Sequence, residues 1–149
     1  MTNSAELSER DSLIQIYSDF HKDAYGFRPR YVNYHEFTLE ELKADFARFQ
    51  EVCRENNEYE RLANERERAE FEKRVQSVID MGAGDRETAL RWIMDSYENH
   101  EFDYGVEGFC NFELRLGFTE YAKQLAIELQ PIVQPKIDAS MVERYSDVA

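Results

Sequence analysis

The side chains that could do acid–base or metal chemistry in this chain are three histidines and 31 acidic residues. Their spacing favours neither a catalytic acid–base site nor a metal site. His21, His35 and His100 are scattered, without the short repeats that place several metal ligands on one helix face. No GxSxG turn marks a nucleophile. The glycines of the segment 82–84 precede Asp85, whose carboxylate would occupy the helix N-terminus where a phosphate binds. We therefore predict no catalytic residue, no metal and no cofactor.

Arginines and aromatic residues are concentrated in residues 25–37, a net-positive island in an acidic chain. These are the residue types enriched at binding hot spots, so a partner could dock here. The candidate residues are Tyr25, Phe27, Arg28, Arg30, Tyr31 and Tyr34. Alternatively, the rings cover the end of the core and the arginines pair with acids of the chain itself. A third interpretation is a small enzyme acting near Arg28, Arg30, Tyr34 and His35, in which arginine holds a phosphate or carboxylate.

A second candidate surface is the acidic, aromatic segment 95–120, which carries seven acidic residues and one basic residue. A basic protein surface would find complementary charge and apolar anchors there. The candidate residues are Glu98, Glu101, Phe102, Asp103, Tyr104 and Glu107. The alternative is a solvated loop with its rings turned inward.

The composition excludes several function classes. A net charge of −13 repels phosphate backbones and anionic membranes, so we expect no direct nucleic-acid binding and no membrane binding. DNA mimicry would need a denser array of acids. Cys53 and Cys110 lie far apart and are predicted to be reduced core residues, which favours a reducing cytoplasm. The N-terminus has neither a basic start nor an apolar run, and no stretch reaches the roughly 18 apolar residues of a membrane span.

Helical signals run through the first half of the chain. An amphipathic helix is predicted to open near residues 8–12 and to end at Gly26. Thr38 and Glu41 have the spacing of a capping box, so a second helix should begin there. Its apolar seam consists of Leu39, Leu42, Phe46, Phe49 and Cys53. If this seam lay between chains, the protein would be a self-assembling scaffold or a homodimer, which is our alternative function.

The second half of the chain is also predicted to be helical. Residues 54–74 hold seven acidic and six basic residues, a mixture typical of a solvated helix. The sequence does not decide whether this segment continues one long helix or divides two. We predict a helix capped by Asp85 and a short helix over 109–116. Thr119 should cap a last helix that ends at Pro131 and Pro135. Residues 136–149 are expected to be a flexible tail or one or two further helical turns, because Ile137, Met141, Val142 and Tyr145 keep a helical spacing.

These patterns define a fold class. The 149 residues are enough for one domain, and neither a repeat nor a long linker divides them. We predict an all-α fold, a single-domain irregular helical bundle covering residues 1–149. It should contain about four to six helices, with one long charged helix or helical hairpin.

Two strings of the sequence carry a family resemblance: IYSDFHKDAYGFRPR and, further on, GAGDRETALRWIMDS. The chain resembles a group of small uncharacterised acidic proteins encoded by bacteriophages and prophages, and YGFRPR is the most specific piece. The resemblance supplies no catalytic residue. It implies a product made in the cytoplasm of an infected bacterium, where it would bind and disable host machinery. The leading hypothesis is thus a non-enzymatic, protein-binding inhibitor of a host defence or nucleic-acid-handling complex, of the anti-CRISPR or anti-restriction kind.

Overall fold

Five α-helices make up most of this protein in a computed structural model that describes the backbone of residues 4–146 and the side chains of residues 9–144. They are α1 (Ser4–Tyr25), α2 (Leu39–Val78), α3 (Arg86–Asp95), α4 (Gly105–Phe112) and α5 (Glu120–Ser146). Short 3₁₀ turns form at Tyr34–Glu36 and Asn99–Phe102. No β-strand occurs within residues 4–146. The predicted all-α class, with about five helices and one long charged helix, is confirmed.

Contacts between Cα atoms divide the chain into two compact units, Met1–Arg61 and Leu62–Ala149. We call them the N-terminal and the C-terminal unit. Helix α2 contributes its first part to the former and its remainder to the latter. Whether the two units behave as the single domain predicted from the sequence stays a prediction.

The ends of α1 and α2 follow local chemistry. Helix α1 begins at Ser4, before the predicted start, and its last turn closes where Gly26, at φ +81°, donates its amide to Lys22. Only glycine takes this left-handed conformation without strain. At the start of α2 the Glu41 carboxylate accepts from the Thr38 amide at 2.7 Å, and the Thr38 hydroxyl accepts from the Glu41 amide at 3.2 Å. The predicted capping box is confirmed.

Aromatic rings form the core of the N-terminal unit. Tyr17 of α1 stacks on Tyr34 with ring centroids 4.7 Å apart, and the edges of Phe46 and Phe49 of α2 pack against it. Its hydroxyl donates to Asp45 at 2.6 Å. Burial and this hydrogen bond raise the pKa of Tyr17. Leu42, Phe46 and Phe49 of the seam are buried within the chain, while Leu39 and Cys53 are partly exposed, so self-assembly through the seam stays a prediction.

Helix α2 is continuous through the charged segment 54–74, which answers the question that the sequence left open. Asn56 does not interrupt the helix, because its side-chain amide donates to the carbonyl of Ala24 at 3.0 Å. That carbonyl lies in the last turn of α1, where helical acceptors lack partners. A π-helical turn at Ile79–Ala83 ends α2, with Gly82 at φ +126°. The next helix, α3, is capped as predicted by Asp85.

Two sequence predictions in the last third of the chain are wrong. The short helix expected at 109–116 is α4, which begins and ends earlier than predicted. Helix α5 does not end at Pro131 or Pro135 but continues to Ser146. Both prolines lie on the exposed side of α5, while Leu129 and Val133 are fully buried on the other side. Burial of that face outweighs the roughly 3 kcal/mol cost of an internal proline.

Side-chain hydrogen bonds also bridge the two prolines. The Gln130 amide donates to Gln134, and the Gln134 amide donates to Asp138 at 2.8 Å. These pairs are one turn apart, so each helps to hold the turn in which proline supplies no backbone donor. Residues 136–146, predicted to be either a tail or further helical turns, are helical, and residues 147–149 of that prediction lie outside the described residues.

The C-terminal unit has a mainly aliphatic core and a half-buried ion network. The guanidinium of Arg86 donates to Glu72 of α2 at 2.7 Å and to Glu128 of α5 at 2.6 Å. The Tyr121 hydroxyl also donates to Glu72. The network therefore ties α2, α3 and α5 together, and the hydrogen bonds from Arg86 lower the pKa of Glu72.

Candidate interaction surfaces

The segment between α1 and α2 is held in a fixed path by three polar contacts. Arg10 donates to the carbonyls of Phe37, at 2.9 Å, and His35, at 2.5 Å. The Nδ1 atom of His21 lies 2.8 Å from the carbonyl of Phe27, to which it donates. This segment is thus ordered although it is mostly non-helical.

The aromatic residues of this segment divide into two groups. Tyr34 and Phe37 turn inward and pack on the N-terminal core. Tyr25, Phe27 and Tyr31 are exposed, and Tyr31 is 99% accessible. The interpretation that the rings cover the core therefore holds for the first group only. The second group remains available to a partner.

The two arginines of this segment also differ. Arg28 pairs with Asp19 at 2.6 Å and donates to Ser18 at 3.2 Å, so it is satisfied by α1. The side chain of Arg30 makes neither a hydrogen bond nor an ion pair within the part of the chain whose side chains are described, residues 9–144. Internal pairing, the alternative raised from the sequence, accounts for Arg28 but not for Arg30.

His35 does not join the arginines at one site. Its ring stacks on Tyr34 with centroids 4.6 Å apart. A groove lies beside Arg28 and Arg30, but neither His35 nor Tyr34 lines it. The enzymatic alternative stays a prediction, and the four residues on which it depends are not gathered around one cavity.

Several acidic residues of the second segment have structural roles. Glu98 and Glu101 form a capping box around the turn Asn99–Phe102. Asp103 pairs with Arg144 of α5. Phe102 is buried and packs on Phe109 with ring centroids 4.6 Å apart. Of the six candidate residues predicted in this segment, Phe102 is a core residue, and Glu98, Glu101 and Asp103 have partners within the chain.

Three exposed aromatic rings lie in a row on the C-terminal unit. Tyr104, Phe112 and Phe118 are 83%, 62% and 79% exposed. The ring centroids of Tyr104 and Phe112 are 6.1 Å apart, and those of Phe112 and Phe118 are 6.2 Å apart. We call these three rings the aromatic row. Large rings that lie side by side on the surface form an apolar patch, and patches of this kind occur at interaction sites.

Glycines fix the position of the aromatic row. A Cβ atom at Gly108 would lie 2.4 Å from the Cβ of Tyr104, so only glycine leaves room for that side chain. A Cβ at Gly117 would lie 2.4 Å from the Asn64 side-chain oxygen, and Gly117 has φ +61°. The turn that precedes Phe118 therefore also depends on glycine.

Acidic side chains accompany the row. Glu107 of α4 and Glu113, which follows α4, are both exposed, and neither has an ion-pair partner within the described part of the chain. Below them Cys110 is buried, and burial together with the charge of Glu107 raises the pKa of its thiol to about 12. The surface thus combines apolar rings with negative charge that is only partly offset, since the charge of Glu107 interacts with that of Lys123.

An open groove adjoins this surface at Glu107. It has a volume of about 930 Å³. Its other lining residues are Lys123, Ala126, Ile127, Gln130, Pro131 and Gln134. Ile127 is largely exposed there, so the groove extends the apolar area from α4 onto α5.

The candidate binding residues predicted from the sequence include Tyr104 but not Phe112 and Phe118, although both lie in the same segment 95–120. The sequence signal that could have identified Phe118 as exposed is Gly117, which ends a helical segment and turns the next side chain outward. Phe109 and Phe112 lie three residues apart, so periodicity alone does not separate the buried ring from the exposed one.

The described residues contain no group of three or more metal-ligating side chains. No helix within them is long and apolar enough to cross a membrane. Both cysteines are free thiols, as predicted. Comparison with protein-family models, with curated proteins and with solved structures finds no match to this chain.

Proposed function

We propose that this protein acts by binding another protein, and that the aromatic row with its neighbouring acids is the contact surface. The observation that carries the proposal is the exposure of Tyr104, Phe112 and Phe118 side by side. Aromatic anchors supply most of the affinity of protein interfaces. Unpaired acids beside them select a basic partner and speed its association.

The resemblance to small phage-encoded proteins supports a particular kind of partner. We propose a host protein that belongs to a defence or nucleic-acid-handling complex. Proteins that handle nucleic acids carry basic surfaces, and such a surface complements Glu107 and Glu113. Because rings stand between the acids, the surface would bind through apolar anchors as well as charge, unlike a pure mimic of the DNA backbone.

The test is capture of proteins from a bacterial lysate by the immobilised chain and by two variants. One variant carries Phe112→Ser and Phe118→Ser; the other carries Glu107→Lys and Glu113→Lys. These four side chains are exposed, so the fold should be retained. Reversal of Glu101 or Asp103 is avoided, since it would disturb the capping box or the pair with Arg144.

We expect one basic host protein to be captured by the wild type and lost with both variants. The matched control is Tyr59→Ser, which removes an exposed ring from the N-terminal unit and should leave capture unchanged. Capture should also weaken with salt, because screening removes charge attraction. If every captured protein were retained by both variants, the proposed surface would be wrong.

A further inference from the structure

A separate groove in the N-terminal unit combines positive charge with exposed rings. Its volume is about 570 Å³, within the range of small-molecule sites. The lining residues are Lys22, Gly26, Phe27, Arg28, Arg30 and Tyr31. Three of these are basic, and none is acidic. Such a groove is unexpected in a chain with a net charge of −13.

The positive charge of the groove is only partly neutralised. Arg28 is paired with Asp19 at 2.6 Å, but both side chains are more than half exposed, so a stronger anion can displace the carboxylate. The side chains of Lys22 and Arg30 make no ion pair or hydrogen bond with the side chains described, those of residues 9–144. Two cations are therefore available to a ligand, and a third can be released.

The rings of the groove are placed to stack on a flat ligand. Phe27 is exposed, and its backbone is held by His21. Tyr31 is almost fully accessible, so nothing in the described chain covers its face. Pro29, between the two arginines, fixes its own backbone φ angle and reduces the freedom of the segment before binding. Binding then requires little additional ordering.

We propose that this groove binds a nucleoside phosphate. The base stacks on Tyr31 and Phe27, and the phosphate contacts Arg30 and Lys22. Arginine and phosphate form bidentate, charge-assisted hydrogen bonds, and base–aromatic stacking adds to them. An acidic peptide would use the cations but would leave the rings without a planar partner. A long nucleic acid would meet the net negative charge of the chain, whereas a mononucleotide meets mainly the local charge.

The experiment is a calorimetric titration of the full chain with adenosine 5′-monophosphate, adenosine, inorganic phosphate and an oligoglutamate peptide. We expect the nucleotide to bind at least about tenfold more tightly than the other three, because it alone uses both parts of the groove. Failure of the nucleotide to bind, or tighter binding of the peptide, would overturn the proposal.

Three variants locate the site. Arg30→Ala and Tyr31→Ala should each weaken nucleotide binding about tenfold, while circular dichroism stays unchanged because both side chains are exposed. Asp19→Asn frees Arg28 and should tighten binding by roughly threefold. The matched control is Arg91→Ala, which removes one exposed cation from α3 and should have no effect. Equal affinities in all four variants would place the ligand elsewhere and refute the assignment.

This site is independent of the proposed protein-binding surface. The titration contains no partner protein, and its variants lie in the N-terminal unit. The lysate experiment uses variants of the C-terminal unit. Failure of one proposal therefore leaves the other intact.

Discussion

The buried cores of the two units differ in their aromatic content. In the N-terminal unit three of the five buried core residues are aromatic, and Tyr17 is in ring contact with four other aromatic side chains besides His21. In the C-terminal unit only three of the seventeen buried core residues are aromatic. Both units also expose rings: Phe27, Tyr31 and Tyr59 in the N-terminal unit, and Trp92 and the aromatic row in the C-terminal unit. Aromatic packing thus dominates the core of one unit only.

This difference has a physical origin. The N-terminal core is built from two helices and a short segment, and few residues must fill it, so large rings are needed. In the C-terminal unit four helical stretches already bury leucines, valines and methionine, among them Leu90, Met94, Leu125 and Leu129. Phe71, Phe102 and Phe109 are the aromatic residues among the buried residues of that core. The aromatic row is exposed outside it, as the proposed binding surface requires.

The sharpest test of this contrast uses two rings on the same helix. Phe109→Ala should lower the free energy of unfolding by about 3–5 kcal/mol, because it leaves a cavity in the core. Phe112→Ala should change it by about 0.5 kcal/mol or less, since that ring is exposed. Urea denaturation followed by circular dichroism measures both. Similar losses for the two variants would mean that Phe112 is a core residue.

The two cysteines provide a second comparison between the units. In the native protein we expect Cys110 to react with a thiol reagent at least about a hundredfold more slowly than Cys53, since the thiolate is the reactive form. Cys110 is buried with a pKa raised to about 12, whereas Cys53 is half-buried. A chromogenic disulfide reagent counts the thiols that react. Both should react at similar rates after unfolding in denaturant, and fast reaction of Cys110 in the native protein would contradict its burial.

Tyr17→Phe isolates the polar contribution to the aromatic core. The variant keeps the ring and removes the hydroxyl that donates to Asp45, so we expect a loss of about 1 kcal/mol. Tyr104→Phe is the matched control on the exposed row and should have no measurable effect on stability. Thermal unfolding of the two variants against the wild type checks this. A neutral Tyr17→Phe would show that the bond to Asp45 contributes nothing.

The smallest effect concerns pH. The Glu72 pKa is lowered by Arg86 from an ordinary value of 4.5, so the network stabilises the fold above that value and loses its contribution as pH falls through the lowered pKa. Both side chains are more than one third exposed, and solvent screening limits the effect to about 1 kcal/mol or less. In Arg86→Gln the acid-induced loss of unfolding free energy should be smaller than in the wild type. Arg91→Gln, whose partner Glu87 is exposed, should keep the wild-type slope.

The local signals of the sequence predicted the starts of α2, α3 and α5 correctly. Thr38, Asp85 and Thr119 cap helices as expected, because a cap depends on a hydroxyl or carboxylate and the amide three residues later. Gly26 likewise ends α1, since its left-handed conformation is a property of the residue itself. These features require no knowledge of distant neighbours.

Features that depend on distant packing were not predictable. Pro131 and Pro135 were expected to end α5, but burial of Leu129 and Val133 keeps the helix intact. The directions of Phe102 and Phe112 depend on which elements cover them, and the chemistry of the two residues is the same. The candidate acids divided for a similar reason. Asp103 pairs with Arg144, forty-one residues away, while Glu107 forms no ion pair within the described residues, although its charge interacts with that of Lys123.

The prolines of α5 also determine what holds the end of the chain. Neither supplies an amide hydrogen, so the carbonyls of Ile127 and Pro131 lose their helical donors, and the backbone ladder is weakest just before residue 136. Beyond that point Lys136 reaches back to the carbonyls of Met94, at 2.9 Å, and Tyr97. The hydrogen bonds from the Lys136 side chain therefore do more than the backbone hydrogen bonds near the prolines to set the direction of the last turns of α5.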